Sequence, residues 1–119
     1  MQSAVKLSPQ DAEVHRNLGI TLQELGRLDE AAASYRQAIA LKPDYVEVHN
    51  NLGNTLSELG RLDQAEASLR QAMAFKPDYA EAQNNLCVTL QKLRRLDEAE
   101  AICRQAIALK PDYAKATTT

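Results

Sequence analysis

The sequence has no tryptophan, one phenylalanine and four tyrosines in 119 residues. So few rings exclude a platform for stacking nucleic-acid bases. Charge of neither sign dominates: 14 Lys and Arg against 16 Asp and Glu leave a net −2, which is no electrostatic footprint for nucleic acid. Long apolar runs are missing, and none approaches the roughly 20 residues of a membrane span. The opening MQSAVKLSPQ lacks the apolar centre of an export signal. Two cysteines are too few for a disulfide scaffold, so a reducing cytoplasm is the expected location. Phosphate-binding glycine loops and nucleophile motifs are absent as well. No catalytic residue, cofactor or metal is therefore expected, and the chain reads as a non-enzyme.

Proline is scarce too, with four in the chain, but Pro9, Pro43, Pro77 and Pro111 stand 34 residues apart. The same shift lays Val46–Tyr79 on Ala12–Tyr45 with 25 of 34 positions identical, and on Ala80–Tyr113 with 21 of 34. A fixed period of this size means stacked supersecondary units. The expected organisation is a partial preceding repeat over 1–11, whole repeats over 12–45, 46–79 and 80–113, and the start of a further helix over 114–119. Ala4, Leu7 and Pro9 fall in the columns of Ala38, Leu41 and Pro43, so Met1–Ser8 reads as the tail of an earlier helix covering the first repeat.

Each repeat splits at a turn. In Ala12–Leu25, the residues Val14, Leu18, Leu22 and Leu25 fall on one helical face, which is expected to be buried. Gly26-Arg27 breaks the run. Leu28–Leu41 follows, with Leu28, Ala31, Tyr35, Ala38, Ile39 and Leu41 as core candidates. Asp29 and Glu30 suit the positive end of its dipole, and Pro43 stops it. Asp44 with Glu47, and Asp78 with Glu81, are spaced as capping pairs for the next helices. The pattern then predicts Val46–Leu59 with Leu62–Phe75, and Ala80–Leu93 with Leu96–Leu109. Connections this short force antiparallel neighbours, so the class is all-α. Gly19 with Gly53, Ala31 with Ala65 and Ala99, and Ala38 with Ala72 and Ala106 form columns of small residues, which let helix axes approach closely.

These columns resemble the tetratricopeptide repeat pattern W-x2-L-G-x2-Y…A-x3-F…P. The first repeat reads His15, Leu18, Gly19, Leu22, Ala31, Tyr35, Pro43; the second His49, Leu52, Gly53, Leu56, Ala65, Leu69, Pro77; the third Gln83, Leu86, Cys87, Leu90, Ala99, Cys103, Pro111. The tryptophan is missing throughout. The third repeat has Cys for the glycine and Cys for the large residue, which is expected to weaken its packing. The resemblance implies a right-handed superhelical solenoid. It also implies a concave groove, lined by the first helix of each pair, that binds an extended peptide or a partner's helix.

Asn17, Asn51 and Asn85 stand one period apart. This is similar to the asparagine ladder in the repeat domains of O-linked N-acetylglucosamine transferases and their bacterial relatives, where amides grip a peptide backbone. An amide offers donors and an acceptor, so it pairs with a peptide group whatever the side chain. The alternative is a polar surface residue copied with the repeat. The other groove candidates are Glu13, Glu47 and Glu81; Arg16, Asn50 and Asn84; Ile20, Asn54 and Val88; and Glu58, in a column with Glu24 and Lys92. For Glu13, Glu47 and Glu81, helix capping weighs equally with groove binding. Five acids against two bases favour a neutral or basic extended partner, weakly, because exposed charges are screened. Some tetratricopeptide domains clamp a C-terminal carboxylate; the matching columns here hold Arg16, Ile20, Asn51, Glu81 and Asn85, which withholds the cations of the last repeat.

His15 and His49 admit a metal or catalytic pair, or semi-buried packing; packing is expected, because two His do not complete a tetrahedral site. Cys87 and Cys103 lie about equidistant from the Arg94-Arg95 turn. They admit a disulfide or redox pair, or two small core residues, and the latter is expected. The functional expectation is a protein-interaction scaffold. A substrate-presenting piece of a larger enzyme is one alternative. The other is a module that self-assembles end to end through Ile102, Ile107 and Leu109.

Overall fold

A computed structural model describes residues 9–109, with side chains from 11 to 109. The expectations for 1–8 and for the helix start at 114–119 lie outside the described residues. Six helices follow in order: α1 (Pro9–Glu24), α2 (Leu28–Leu41), α3 (Val46–Glu58), α4 (Leu62–Phe75), α5 (Ala80–Lys92) and α6 (Leu96–Leu109). No strand occurs among the described residues. Each helix packs on the next. In addition α1 touches α3 and α3 touches α5, whereas among the described residues the backbones of α2, α4 and α6 stay apart. The odd helices therefore form the inner wall of a curved stack and the even helices its outer wall. The molecule is elongated, 55 × 27 × 25 Å. Its core runs along the stack, around Tyr35, Val48, Leu52 and Leu56 at one end and Leu69, Leu86 and Leu90 at the other.

One turn design separates the helices of every pair. The Arg27 N–H donates to the Leu22 carbonyl at 2.9 Å and the Gly26 N–H to that of Gln23 at 3.0 Å, and the pattern recurs at Arg61 and Arg95. This double bond pattern satisfies the last helical carbonyls when the intervening residue is left-handed. Gly26 and Gly60 take φ of +80° and +82°, but the third turn puts Arg94 there, at +65°. A Cβ in this region costs roughly 1–2 kcal/mol. Arg94→Gly is thus expected to stabilise the third pair by about 1 kcal/mol, read as a higher midpoint in urea, and Gly60→Arg to lose about as much.

The connectors between pairs differ from expectation. The N-cap positions of α3 and α5 are Tyr45 and Tyr79, with no side-chain cap, so Asp44 and Asp78 stand one residue too early to form capping pairs with Glu47 and Glu81. A bond from inside the helix fastens each connector instead. His49 Nε2–H donates to the Pro43 carbonyl at 2.8 Å, and Gln83 Nε2–H to that of Pro77 at 3.0 Å. Two chemically unlike residues in one column share this bond, so the column requires a donor. His49 is buried with its ring 5.7 Å from that of Phe75, the packing role expected of it.

The apolar face of α1 is not buried as a whole. Leu22 is, but Val14 is 63% exposed, Leu18 47% and Leu25 62%. In the next repeat Val48 and Leu52 are covered because α2 lies against α3; no described helix stands on that side of α1. The small columns do what close approach requires: Ala31, Ala38, Ala65 and Ala72 are fully buried. A Cβ on Gly19 would lie 2.5 Å from Tyr35 Cε1, and one on Gly53 2.5 Å from Leu69 Cγ. The third repeat fills the same space differently. Cys87 and Cys103 form a disulfide, with Cα atoms 5.5 Å apart, and are not the two unlinked core residues expected. Where the other pairs set nothing against a large side chain, here two equal side chains meet midway and bond.

Candidate functional site

The inner wall is built from the exposed faces of α1, α3 and α5 and the connectors between them. Its cross-links are polar. Arg16 on α1 reaches α3 through Glu47 at 3.1 Å, and also holds Glu13 at 3.5 Å and Asn17 Oδ1 at 2.9 Å. Gln23 Nε2 donates to Glu58 at 3.4 Å. Between α3 and α5, Asn85 Nδ2 donates to Asn50 Oδ1 at 2.9 Å, and Lys92 Nζ to Ser57 Oγ at 3.4 Å. The two cations on the helices of this wall, Arg16 and Lys92, are thus engaged within it, while Glu13, Glu47, Glu58 and Glu81 remain exposed, as do Lys42 and Lys76 on the connectors.

The three asparagines of the ladder have different surroundings. Asn17 is exposed, with its oxygen committed to Arg16. Asn85 is half-buried and committed to Asn50. Asn51 is half-buried and has no hydrogen-bond partner among the described residues. It lines a recess of 330 Å³ with Val46, Glu47, Lys76, Tyr79 and Glu81. Asn50, expected on the groove surface, is only 1% exposed. It lies within the wall, against Asn85 and the Tyr79 hydroxyl, because the step from residue 51 to 50 turns the side chain about 100° around the helix. Ile20 packs on the core. Asn84 and Val88 are exposed and Asn54 half-buried, away from the recess lining.

Tyr79 and Lys76 were not among the sequence candidates. The signal was present: Lys-Pro-Asp-Tyr closes every repeat, and Tyr45 and Tyr79 are rings in one column. Lys42 Nζ sits 4.6 Å from the Tyr45 ring centre and Lys76 Nζ 5.1 Å from that of Tyr79, close enough for cation–π attraction. The tyrosines report the wall's potential. Burial raises the Tyr79 pKa above its ordinary value, Glu81 and Glu47 push the same way, and the Asn50 amide opposes them. Tyr35, beneath the wall, is pushed up to about 12 by burial, then by Glu24, Glu47 and Glu58; its hydroxyl donates to Gln23 Oε1 at 2.7 Å. No cluster of three or more His, Cys, Asp or Glu suited to a metal occurs among the described residues, and no helix there is long and apolar enough to cross a membrane.

Paired antiparallel helices, repeated in one direction with a polar inner wall, define a helical-repeat solenoid. Family models agree along the chain: "TPR repeat" matches residues 22–60, and "Tetratricopeptide repeat" matches 60–118 and 1–33. The chain belongs to the tetratricopeptide repeat family. No curated protein matches it. Among solved structures it is similar to the first TPR of Spaghetti (RPAP3) bound to HSP90 peptide SRMEEVD, with 23% identity over 93% of this chain and 88% of that one and a TM-score of 0.87. It is also similar to the Arabidopsis OM64 TPR domain, at 25% over 87% and 86% with a TM-score of 0.85. MamA shares 22% identity and a TM-score of 0.82, over 91% of this chain and 63% of that one. The likeness to these solved structures is one of fold.

Proposed function

We propose that the inner wall holds an extended polypeptide of a partner protein, with the Asn51 amide bonding its backbone and the surrounding carboxylates favouring neutral or basic side chains. The observation that carries this reading is the unpartnered, half-buried Asn51 amide in its recess, which Glu47, Glu81, Lys76 and Tyr79 also line. A peptide N–H and C=O supply what such an amide leaves unmet. Asn17 and Asn85 flank it one repeat away, and Glu13, Arg16, Glu58, Asn54, Asn84 and Val88 extend the surface. Arg16 and Asn50 act by holding the wall's spacing.

Two of the similar structures carry the acidic peptide SRMEEVD. An acidic tail suits this chain poorly. Its wall exposes Glu13, Glu47, Glu58 and Glu81 against Lys42 and Lys76, and Arg16 is already tied to Glu13 and Glu47. The test is a titration of basic, neutral and acidic extended peptides against the protein and Asn51→Ala. The expected result is micromolar binding of a basic peptide, weakened about tenfold by Asn51→Ala, the equivalent of about one hydrogen bond. Preferred binding of the acidic peptide, or equal affinities for the variant and the parent, would overturn the reading.

A further inference from the structure

We propose that the recess beside Asn51 receives an arginine side chain of the bound polypeptide, its guanidinium lying where Arg16 places its own one repeat earlier. This rests on the groove reading above and names the side chain that the groove selects.

The protein contains a filled copy of the site. In the first repeat four groups surround the Arg16 guanidinium. Nη1 donates to Glu47 Oε1 at 3.1 Å and Nη2 to Glu13 Oε2 at 3.5 Å. Nε and Nη2 donate to Asn17 Oδ1 at 3.2 and 2.9 Å. The central carbon lies 5.9 Å from the centre of the Tyr45 ring. One period later, the columns of Glu13, Asn17, Tyr45 and Glu47 hold Glu47, Asn51, Tyr79 and Glu81. All four of these line the 330 Å³ recess.

What differs in the second repeat is the arginine itself, because Asn50 stands in its column. Asn50 has a shorter side chain, is 1% exposed and accepts a bond from Asn85 within the wall. It therefore leaves the recess open. Glu81 has no ion pair among the described residues, and Arg16 takes only Oε1 of Glu47. The tyrosines register the difference. Burial raises the Tyr45 pKa, and Arg16 opposes it against the push of Glu47 and Glu13. At Tyr79, burial, Glu81 and Glu47 all push upward and the neutral Asn50 amide opposes them.

Lys76 does not take the place of the guanidinium. Lys42 lies 4.6 Å from the Tyr45 ring centre with Arg16 there as well, so one ring accommodates both. Lys76 holds the Lys42 position at Tyr79, at 5.1 Å. Arginine suits the recess better than lysine for a geometric reason. A guanidinium presents five donors in one plane and packs on rings, whereas an ammonium is a compact, strongly hydrated point charge. The amide oxygen of Asn51 has two lone pairs. It can accept from the guanidinium while the amide nitrogen donates to a peptide carbonyl.

The test is a titration of the full chain with a neutral Ser/Thr peptide carrying one central arginine, and with copies bearing lysine, citrulline or alanine in its place. The arginine peptide should bind at least about tenfold tighter than the citrulline copy, which keeps the shape and loses the charge, and tighter than the lysine copy. Glu81→Gln should remove most of that preference. Glu100→Gln, an equal change of charge outside the groove, should remove none of it. Four results would overturn the proposal: equal binding of all copies, a lysine copy that binds as well as arginine, a Glu81→Gln variant that keeps the preference, or an equal loss in Glu100→Gln. The groove reading would survive any of these if Asn51→Ala still weakens the alanine copy. Failure of every copy to bind would sink both.

Discussion

Gly53→Leu is expected to destabilise the second helix pair by about 3 kcal/mol, the upper end of the range for overpacking. A Cβ at this position lies 2.5 Å from Leu69 Cγ, 2.6 Å from its Cδ2 and 3.3 Å from the Ala65 carbonyl oxygen. Cγ is the branch point of the leucine, not its free end, and Ala65 is fully buried. Neither yields without moving α4. Gly53→Ala gains about 1 kcal/mol of helix propensity yet its Cβ meets the same three atoms, so it still destabilises, at a smaller net cost than Gly53→Leu. Leu69→Ala empties the opposing space and by itself costs about 2–5 kcal/mol. Together, Gly53→Leu and Leu69→Ala should cost clearly less than the sum of the two, the mark of residues sharing one volume. Urea midpoints of the four proteins measure this. Strictly additive losses would show that the contact does not limit the packing.

Reducing the Cys87–Cys103 bond should remove about 3 kcal/mol from the third pair, the amount chain-entropy reasoning gives for a closed loop of this size, since the linked residues are 16 apart. The loss should be local, because a repeat contacts only its neighbours. Hydrogen exchange should accelerate in α5 and α6 on adding reductant, with α1 and α2 little changed. The columns also suggest a replacement. Cys87→Gly combined with Cys103→Leu recreates the pairing of Gly53 and Leu69 and should recover part of the loss while becoming indifferent to reductant. Uniform acceleration over all six helices would contradict the local account.

Much of this architecture was legible because its signals repeat. Leu28, Leu62 and Leu96 open the even helices where expected, and Leu41, Phe75 and Leu109 close them, since a left-handed turn precedes each start and a proline sits two residues past each end. The odd helices close one residue early, at Glu24, Glu58 and Lys92, as the following leucine becomes the cap. Pro9 opens α1 ahead of Ala12 because a proline fits the first helical position. What spacing could not reveal depends on single-residue rotations and on contacts across pairs. Asn50 and Asn51 are identical neighbours in sequence and differ in space by one step around the helix. Two cysteines equidistant from a turn satisfy a bond and a pair of core residues equally well. The recess needed Tyr79, whose column was read as the edge of a repeat and proved to be its wall.

The bridge between α5 and α6 also redirects mechanical load. When the chain is pulled from its two ends, force crosses from Cys87 to Cys103 through the sulfurs, and the residues between them carry none. The other two hairpins have no such shunt and can pay out their full contour length. The third keeps back about 50 Å, from 16 residues at the usual 3.3–3.6 Å each less the 5.5 Å spanned by the bridge. The Arg94 turn and the start of α6 are thereby shielded from tension that would unravel the rest of the stack.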